Sequence, residues 1–162
     1  MSIKDLNKKN KGQKLLYLND KINLFKIPKT ICLKCTDKYS SKEHFLKSDL
    51  LVVRSSASDE DGKSVSSAGE YESVLNIPSN NLKKINEAIS SVIASYEKKR
   101  PLLPDDEVII QEMVQNTSMS GVIFTHDLNT GAPYYVINYD DHVVRVKQLV
   151  KYLFLFCLNF LP

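Results

Sequence analysis

Arg54 opens a stretch unlike the rest of the chain, running Arg54-Ser-Ser-Ala-Ser-Asp-Glu-Asp-Gly-Lys-Ser-Val-Ser-Ser-Ala-Gly69, with six serines and two glycines. A guanidinium offers a planar fork of donors matched to phosphate oxygens. Ser55, Ser56, Ser64, Ser66 and Ser67 add hydroxyls, and Gly62 and Gly69 let a backbone come close to a ligand. The chemistry suggested is phosphate binding. A solvated surface loop carrying Glu60 and Asp61 is the plain alternative. A second segment, Gly12-Gln13-Lys14, precedes an apolar periodic stretch. Amides at a helix start attract anions, and a lysine beside them adds a full charge. The glycine-rich spacing of a Walker A loop is absent. A third segment, Ile110-Gln111-Glu112-Met113-Val114, mixes polar and apolar residues. Such a strand can offer N–H and C=O groups to the edge of a flat base while Met and Val pack on its face. It reads equally as an ordinary half-buried strand.

Elements that would position these residues follow from pattern. Leu15, Leu18 and Ile22 recur at helical spacing over Lys14 to Leu24, Pro28 ends that run, and Thr30–Leu33 reads as a strand. Ser40 and Ser41 suit the cap of a short helix over 42–47. Leu50–Val53 is a continuous apolar run, the mark of a buried strand that delivers Arg54 at its end. The serine-rich stretch then reads as a long loop. Glu72 to Ile77 reads as a strand. Asn81 to Lys99 is the clearest helix, with Leu82, Ile85, Ala88, Ile89, Val92, Ile93 and Tyr96 at intervals of three and four. Pro101 and Pro104 break it. Val108–Val114, Gly121–Thr125 and Tyr134–Tyr139 read as strands of an antiparallel meander. The fold class expected is α+β.

Composition narrows the class. The chain has 162 residues, 43% hydrophobic and 25% charged, with 22 Lys and Arg against 19 Asp and Glu. That is an ordinary globular balance with a core of useful size. A net charge of +3 falls short of the basic footprint of a nucleic-acid binder. No segment reaches the roughly 18 apolar residues of a membrane-spanning helix, and the polar start from Met1 to Lys11 lacks a secretory h-region. Three cysteines are too few for a disulfide scaffold, and Cys32-Leu-Lys-Cys35 has no second ligand pair to complete a zinc site. Reduced thiols and a cytoplasmic location fit best.

The three segments, in this order, carry a family resemblance. Val53-Arg-Ser-Ser-Ala57, then Glu60-Asp61, then Ser67-Ala-Gly69, resembles the VRSSA…ED…S-x-AG block of the N-terminal nucleotide-binding domain of phosphoenolpyruvate synthase and pyruvate phosphate dikinase. Gly12-Gln-Lys14-Leu-Leu-Tyr-Leu18 resembles that family's opening GGKxxxL, and Val108 to Val114 its VQxMV strand. Ser120-Gly-Val-Ile-Phe-Thr-His-Asp127 followed by Thr130-Gly131 is similar to its SGVxFTxDPxTG block. The resemblance covers roughly residues 11 to 140. Lys11 replaces the first glycine of GGK, and His126 and Leu128 stand where many members have Arg and Pro.

The resemblance implies a partial ATP-grasp-like nucleotide-binding domain over residues 1–141, followed by an off-pattern apolar tail over 142–162. It implies ATP and Mg²⁺ as cofactors, with Lys14 and Arg54 on the phosphates and Ser55, Ser56 and the loop to Gly69 closing over the nucleotide. Gln111, Glu112, Met113 and Val114 would line the base pocket. In such enzymes ATP phosphorylates a histidine on a separate domain, and that group passes to pyruvate on a third. Neither domain is expected within these residues, so turnover of pyruvate by this chain alone is not expected. His126 reads as a surface or packing histidine rather than the phosphocarrier. Related dikinases acting on glucans or antibiotics remain open. So does a non-catalytic module that binds a protein partner through the tail, read either as a frameshifted end or as an amphipathic helix.

Overall fold

The computed structural model describes residues 9–21, 26–40, 47–59, 71–127 and 129–140, and the backbone of 156–158. Both described helices begin on an asparagine. The Asn10 side chain accepts the Gln13 N–H at 3.0 Å and starts α1 (Lys11–Asn19). Asn81 does the same for Lys84, at 3.0 Å, and starts α2 (Leu82–Glu97). Each cap satisfies a donor that the first helical turn leaves without a partner. α1 therefore starts three residues before the periodic pattern predicts, because the cap and not the first leucine sets the boundary.

The chain divides into two compact units, residues 1–113 and 114–162. In the first unit β1 (Thr30–Lys34), β2 (Leu50–Ser56), β3 (Ser73–Pro78) and β4 (Glu107–Glu112) form one antiparallel sheet in the order β1-β4-β2-β3. β4 is central. Its residues Glu107 to Gln111 are all buried, which is why it reads as a nearly continuous apolar run rather than an alternating one. Direct cross-strand partners share a face. Ile31 and Leu33, Leu51 and Val53, and Val108 and Ile110 thus point one way, toward Ile85, Ala88, Ile89, Val92 and Tyr96 of α2. The fully buried Leu51, Val53, Val108 and Ile110 each contribute roughly 1.5–3 kcal/mol of transfer free energy. Cys32, Ile109 and Glu107 point the other way, toward α1. At Asn76, with φ of +58°, β3 spends two residues between Val74 and Ile77 where β2 spends only Val52, a bulge in the edge strand.

The second unit contains β5 (Met119–Phe124), β6 (Val136–Asp140) and β7 (Phe156–Leu158), ordered β6-β5-β7 with antiparallel pairing. Asp127 shapes the β5–β6 connection. Its Oδ1 accepts from the N–H of Asn129 and Thr130 and the hydroxyl of Thr130, at 2.8 to 3.1 Å, and Gly131 takes φ of +69°. That is the turn chemistry the sequence indicates.

The α+β class and the antiparallel pairing agree with the sequence reading. Of the meander, the β5–β6 step agrees and the β4–β5 step does not. β4 pairs with β1 and β2, not with β5, since a strand buried on both faces needs neighbours on both edges, and earlier strands supply them. β2 also continues past Val53 through Ser56, because Ser55 and Ser56 keep their register against Val108 and Glu107. The short helix expected over 42–47 falls, apart from Lys47, outside the described residues, as does the serine-rich stretch from 60 to 70. In the tail, Phe156–Leu158 is a strand rather than part of a helix. Among the described residues no helix is long and apolar enough to cross a membrane.

Candidate functional site

The sheet face turned to α1 carries the residues best suited to a ligand. Across it run Thr30, Gln111 and Val52 in one row, Cys32, Ile109 and Arg54 in the next, and Lys34, Glu107 and Ser56 in the third. α1 lies so close to this face that a Cβ on Gly12 would stand 2.6 Å from Cys32 Sγ and 3.3 Å from Glu107 Oε2 and Ile109 Cγ1. Gly12 is thus a contact glycine, needed for the approach of helix to sheet. Its N–H donates to Ser56 Oγ at 2.9 Å, and Gln13 Nε2 donates to Glu107 Oε1 at 3.2 Å. The other carboxylate oxygen, Glu107 Oε2, is buried with no hydrogen-bond partner.

Of the residues singled out in the sequence, Arg54, Ser56 and Gln111 are brought onto this one face, with Lys14 on the helix packed against it. Gln111 is buried and donates from Nε2 to Thr30 Oγ1 at 2.9 Å, and Thr30 Oγ1 donates to Pro28 O at 2.8 Å. Ser55 and Glu112 lie opposite Val108 and Leu51 and so belong to the α2 face. Glu112 Oε1 accepts the Lys47 N–H at 2.7 Å. Met113 donates its N–H to Leu50 O at 2.9 Å, and its carbonyl accepts from Ser48 Oγ at 3.4 Å. Val114 falls in the second unit.

The helix start does not behave as an open anion cradle. The N–H of Gly12 goes to Ser56 Oγ, that of Gln13 to the Asn10 side chain and that of Lys14 to Asn10 O at 3.0 Å. These donors are committed within the chain, so none of the three is turned to an external anion. The cysteines are split as well. Cys32 faces α1, whereas Cys35, beyond the strand end, packs against the core on the α2 side. Burial, with Glu107 adding to it, pushes the Cys32 thiol up to about 12, and burial, with Asp106 next, pushes Cys35 up to about 11. Thiols held that high are poor nucleophiles and poor metal ligands at neutral pH. His126 is exposed, its Nδ1 3.0 Å from Thr125 Oγ1.

A cluster that the sequence did not reveal stands just beyond β2. Arg100 binds both oxygens of Asp59, from Nε at 2.6 Å and Nη2 at 2.7 Å. It also binds both oxygens of Asp106, from Nη1 at 2.7 Å and Nη2 at 2.9 Å. Asp106 is 1% exposed, and it also accepts from the Ser58 N–H and hydroxyl and from the Leu103 N–H. Burial alone would raise the Asp106 pKa. The Arg100 guanidinium and these donors outweigh it and hold the carboxylate well below its ordinary range. Arg100, hydrogen-bonded to Asp59 and Asp106, is held charged more firmly than usual. The only trace of this cluster in the sequence is an arginine set between a helix end and two prolines.

An arginine and a serine from one strand and a glutamine from its neighbour thus lie together on one sheet face under a closely docked helix. The family follows from comparison: residues 3–147 match the model of the pyruvate phosphate dikinase, AMP/ATP-binding domain, and the chain belongs to that family. No curated protein and no solved structure matches the chain. The matched span includes every site residue named above.

Proposed function

We propose that this chain is the ATP-binding part of a phosphotransferase of the phosphoenolpyruvate synthase and pyruvate phosphate dikinase type, with an ATP-grasp-like nucleotide site. The observation that carries the reading is the gathering of Arg54, Ser56 and Gln111 on one sheet face with Lys14 on the helix against it, within a chain of this family. Arg54 pairs with phosphate oxygens and Lys14 adds a second positive charge, while Gln111 and Met113 flank the base. Ser55 and Glu112, on the opposite face, support the strands rather than touch the nucleotide.

Phosphoryl transfer asks mainly for alignment and charge neutralisation, which a cationic face on a rigid sheet can supply. Among the described residues no group of three or more His, Cys, Asp or Glu gathers as a metal site. Mg²⁺ would be held by one or two carboxylates together with the nucleotide's phosphates, whose charge it would neutralise. The acceptor in the whole protein is a histidine on another domain, and pyruvate is reached only through that group. The described thiols, Cys32 and Cys35, are free, in keeping with a reducing cytoplasm.

Calorimetric titration with Mg·ATP tests this reading. Saturable binding by the wild-type chain, lost in Arg54→Ala, is the expected result. No binding by a folded wild-type chain overturns it. The second reading is a module that binds a protein partner through the apolar tail over 142–162, and the exposed Tyr135, Ile137 and Tyr139 add a further apolar surface to it. A monodisperse monomer in solution counts against that one.

A further inference from the structure

The end of α2 reaches the residues that follow Arg54 by two routes. Tyr96 is fully buried and sets its hydroxyl between β2 and β4, accepting from the Ser56 N–H at 2.8 Å and donating to Glu107 O at 2.8 Å. Ser56 Oγ in turn accepts the Gly12 N–H, so one hydrogen-bonded path links α2, the sheet and α1. One turn on, Arg100 places two forks on Asp59 and Asp106 and gives its remaining Nη1 hydrogen to Pro101 O at 3.0 Å. Asp106 passes this hold to the Ser58 N–H and hydroxyl, both at 3.0 Å. Tyr71 closes the cluster, with its hydroxyl 3.3 Å from Asp59 Oδ1 and its ring edge-on to Tyr96 at 4.8 Å.

All five guanidinium N–H groups of Arg100 are spent inside the protein, so none is left for a ligand. What the cluster does is hold the chain beyond β2. Ser58 is tied at its backbone N–H and Asp59 at its carboxylate, four and five residues beyond Arg54, and Tyr96 ties the N–H of Ser56, two residues beyond it. A phosphate-binding guanidinium is useful only if its backbone is held within a fraction of an ångström.

We propose that Arg100 is a positioning residue for phosphate recognition, acting through Asp106 and Asp59 to hold the Ser58–Asp59 segment that follows β2 and so the aim of Arg54. This inference rests on the nucleotide reading given above. A lysine cannot reproduce the two forks, although it keeps a cation beside the buried Asp106.

The test is titration of the full chain with Mg·ATP and, separately, with adenosine, on wild type, Arg100→Lys and Asp59→Asn. For Arg100→Lys the expected result is about a ten- to hundredfold loss of ATP affinity with adenosine affinity unchanged. Asp59→Asn, which weakens one fork at a partly exposed position, should lose ATP affinity in the same direction by a smaller factor. Equal losses for both ligands mean that Arg100 merely supports the fold, and overturn the inference. So does wild-type ATP affinity in Arg100→Lys or, if that variant does not fold, in Asp59→Asn. The two readings fail differently: binding lost in Arg54→Ala but kept in Arg100→Lys overturns the positioning role alone, whereas a wild-type chain that ignores ATP removes both.

Discussion

One face of the second sheet treats apolar residues in the opposite way from either face of the first. In the first unit Val53, Val108, Ile109 and Ile110 are fully buried. In the second, Ile137 of β6 is 59% exposed and Tyr139 65% exposed. The difference is cover. The β1-β4-β2-β3 sheet has α2 on one face and α1 against the other, so both sets of side chains on β4 are packed. On the second sheet Ile123 and Ile137 pair across β5 and β6 and both are exposed. A sheet packed on both faces cannot shift one strand without disturbing two layers. The candidate site uses that stiffness: Arg54 and Ser56 on β2, with Gln111 on β4, belong to the covered sheet.

The contrast can be broken most severely at Asp106. Asp106→Ala leaves Arg100 without the partner for one of its forks and Ser58 without its acceptor. Breaking one side of a buried ion pair costs about 3–5 kcal/mol. Urea denaturation should show a loss of that size in the first unit. Tyr96→Phe should come next, since it strips partners from the buried Ser56 N–H and Glu107 C=O at a cost of about 1–3 kcal/mol. Its sharper sign is faster amide exchange at Ser56. Gly12→Ala should cost a comparable 1–3 kcal/mol, about the usual price of overpacking, because the new methyl meets Cys32, Glu107 and Ile109. A thermal melt that does not move would show that α1 can ride away from the sheet.

Acid should separate the two regions further. The Arg100 fork on Asp59, and the donors that overcome burial at Asp106, lower both carboxylates below the ordinary value of 3.8. A lowered folded-state pKa means that the stabilisation is fully present above the unfolded value and is lost as pH falls toward the folded one. The first unit should therefore lose stability below about pH 4, and Asp106→Asn should flatten that slope. The smallest effect is expected at the exposed face, where Ile137→Ser should change stability by less than about 0.5 kcal/mol. A larger loss would show that the β5–β6 sheet is covered in solution and would remove the contrast between the units.

How much of this could be read beforehand varies by element. The seven apolar positions of α2 follow from spacing alone, since a helix buries one stripe at a fixed period. The Asp127 turn is likewise local chemistry. The family is legible because Arg54-Ser-Ser, the Gln111 strand and the Ser120–Gly131 block keep their order along the chain. What the strand pattern could not give is which edges meet. β4 looks like the neighbour of β5 in sequence, yet its two buried faces are satisfied only by β1 and β2.

The sequence by itself determined the α+β class, the apolar stripe of α2 and the order of the nucleotide-binding motifs, because each rests on residues within a few positions of one another. Only the tertiary structure decided that Ser56 and Gln111 share Arg54's face while Ser55 and Glu112 do not, since one residue of register inverts every side chain. It also decided that Arg100 joins Asp59, 41 residues earlier, to Asp106. A salt-bridged cluster of that reach has no periodicity and no local motif. It exists only once the end of α2 has been packed beside the end of β2.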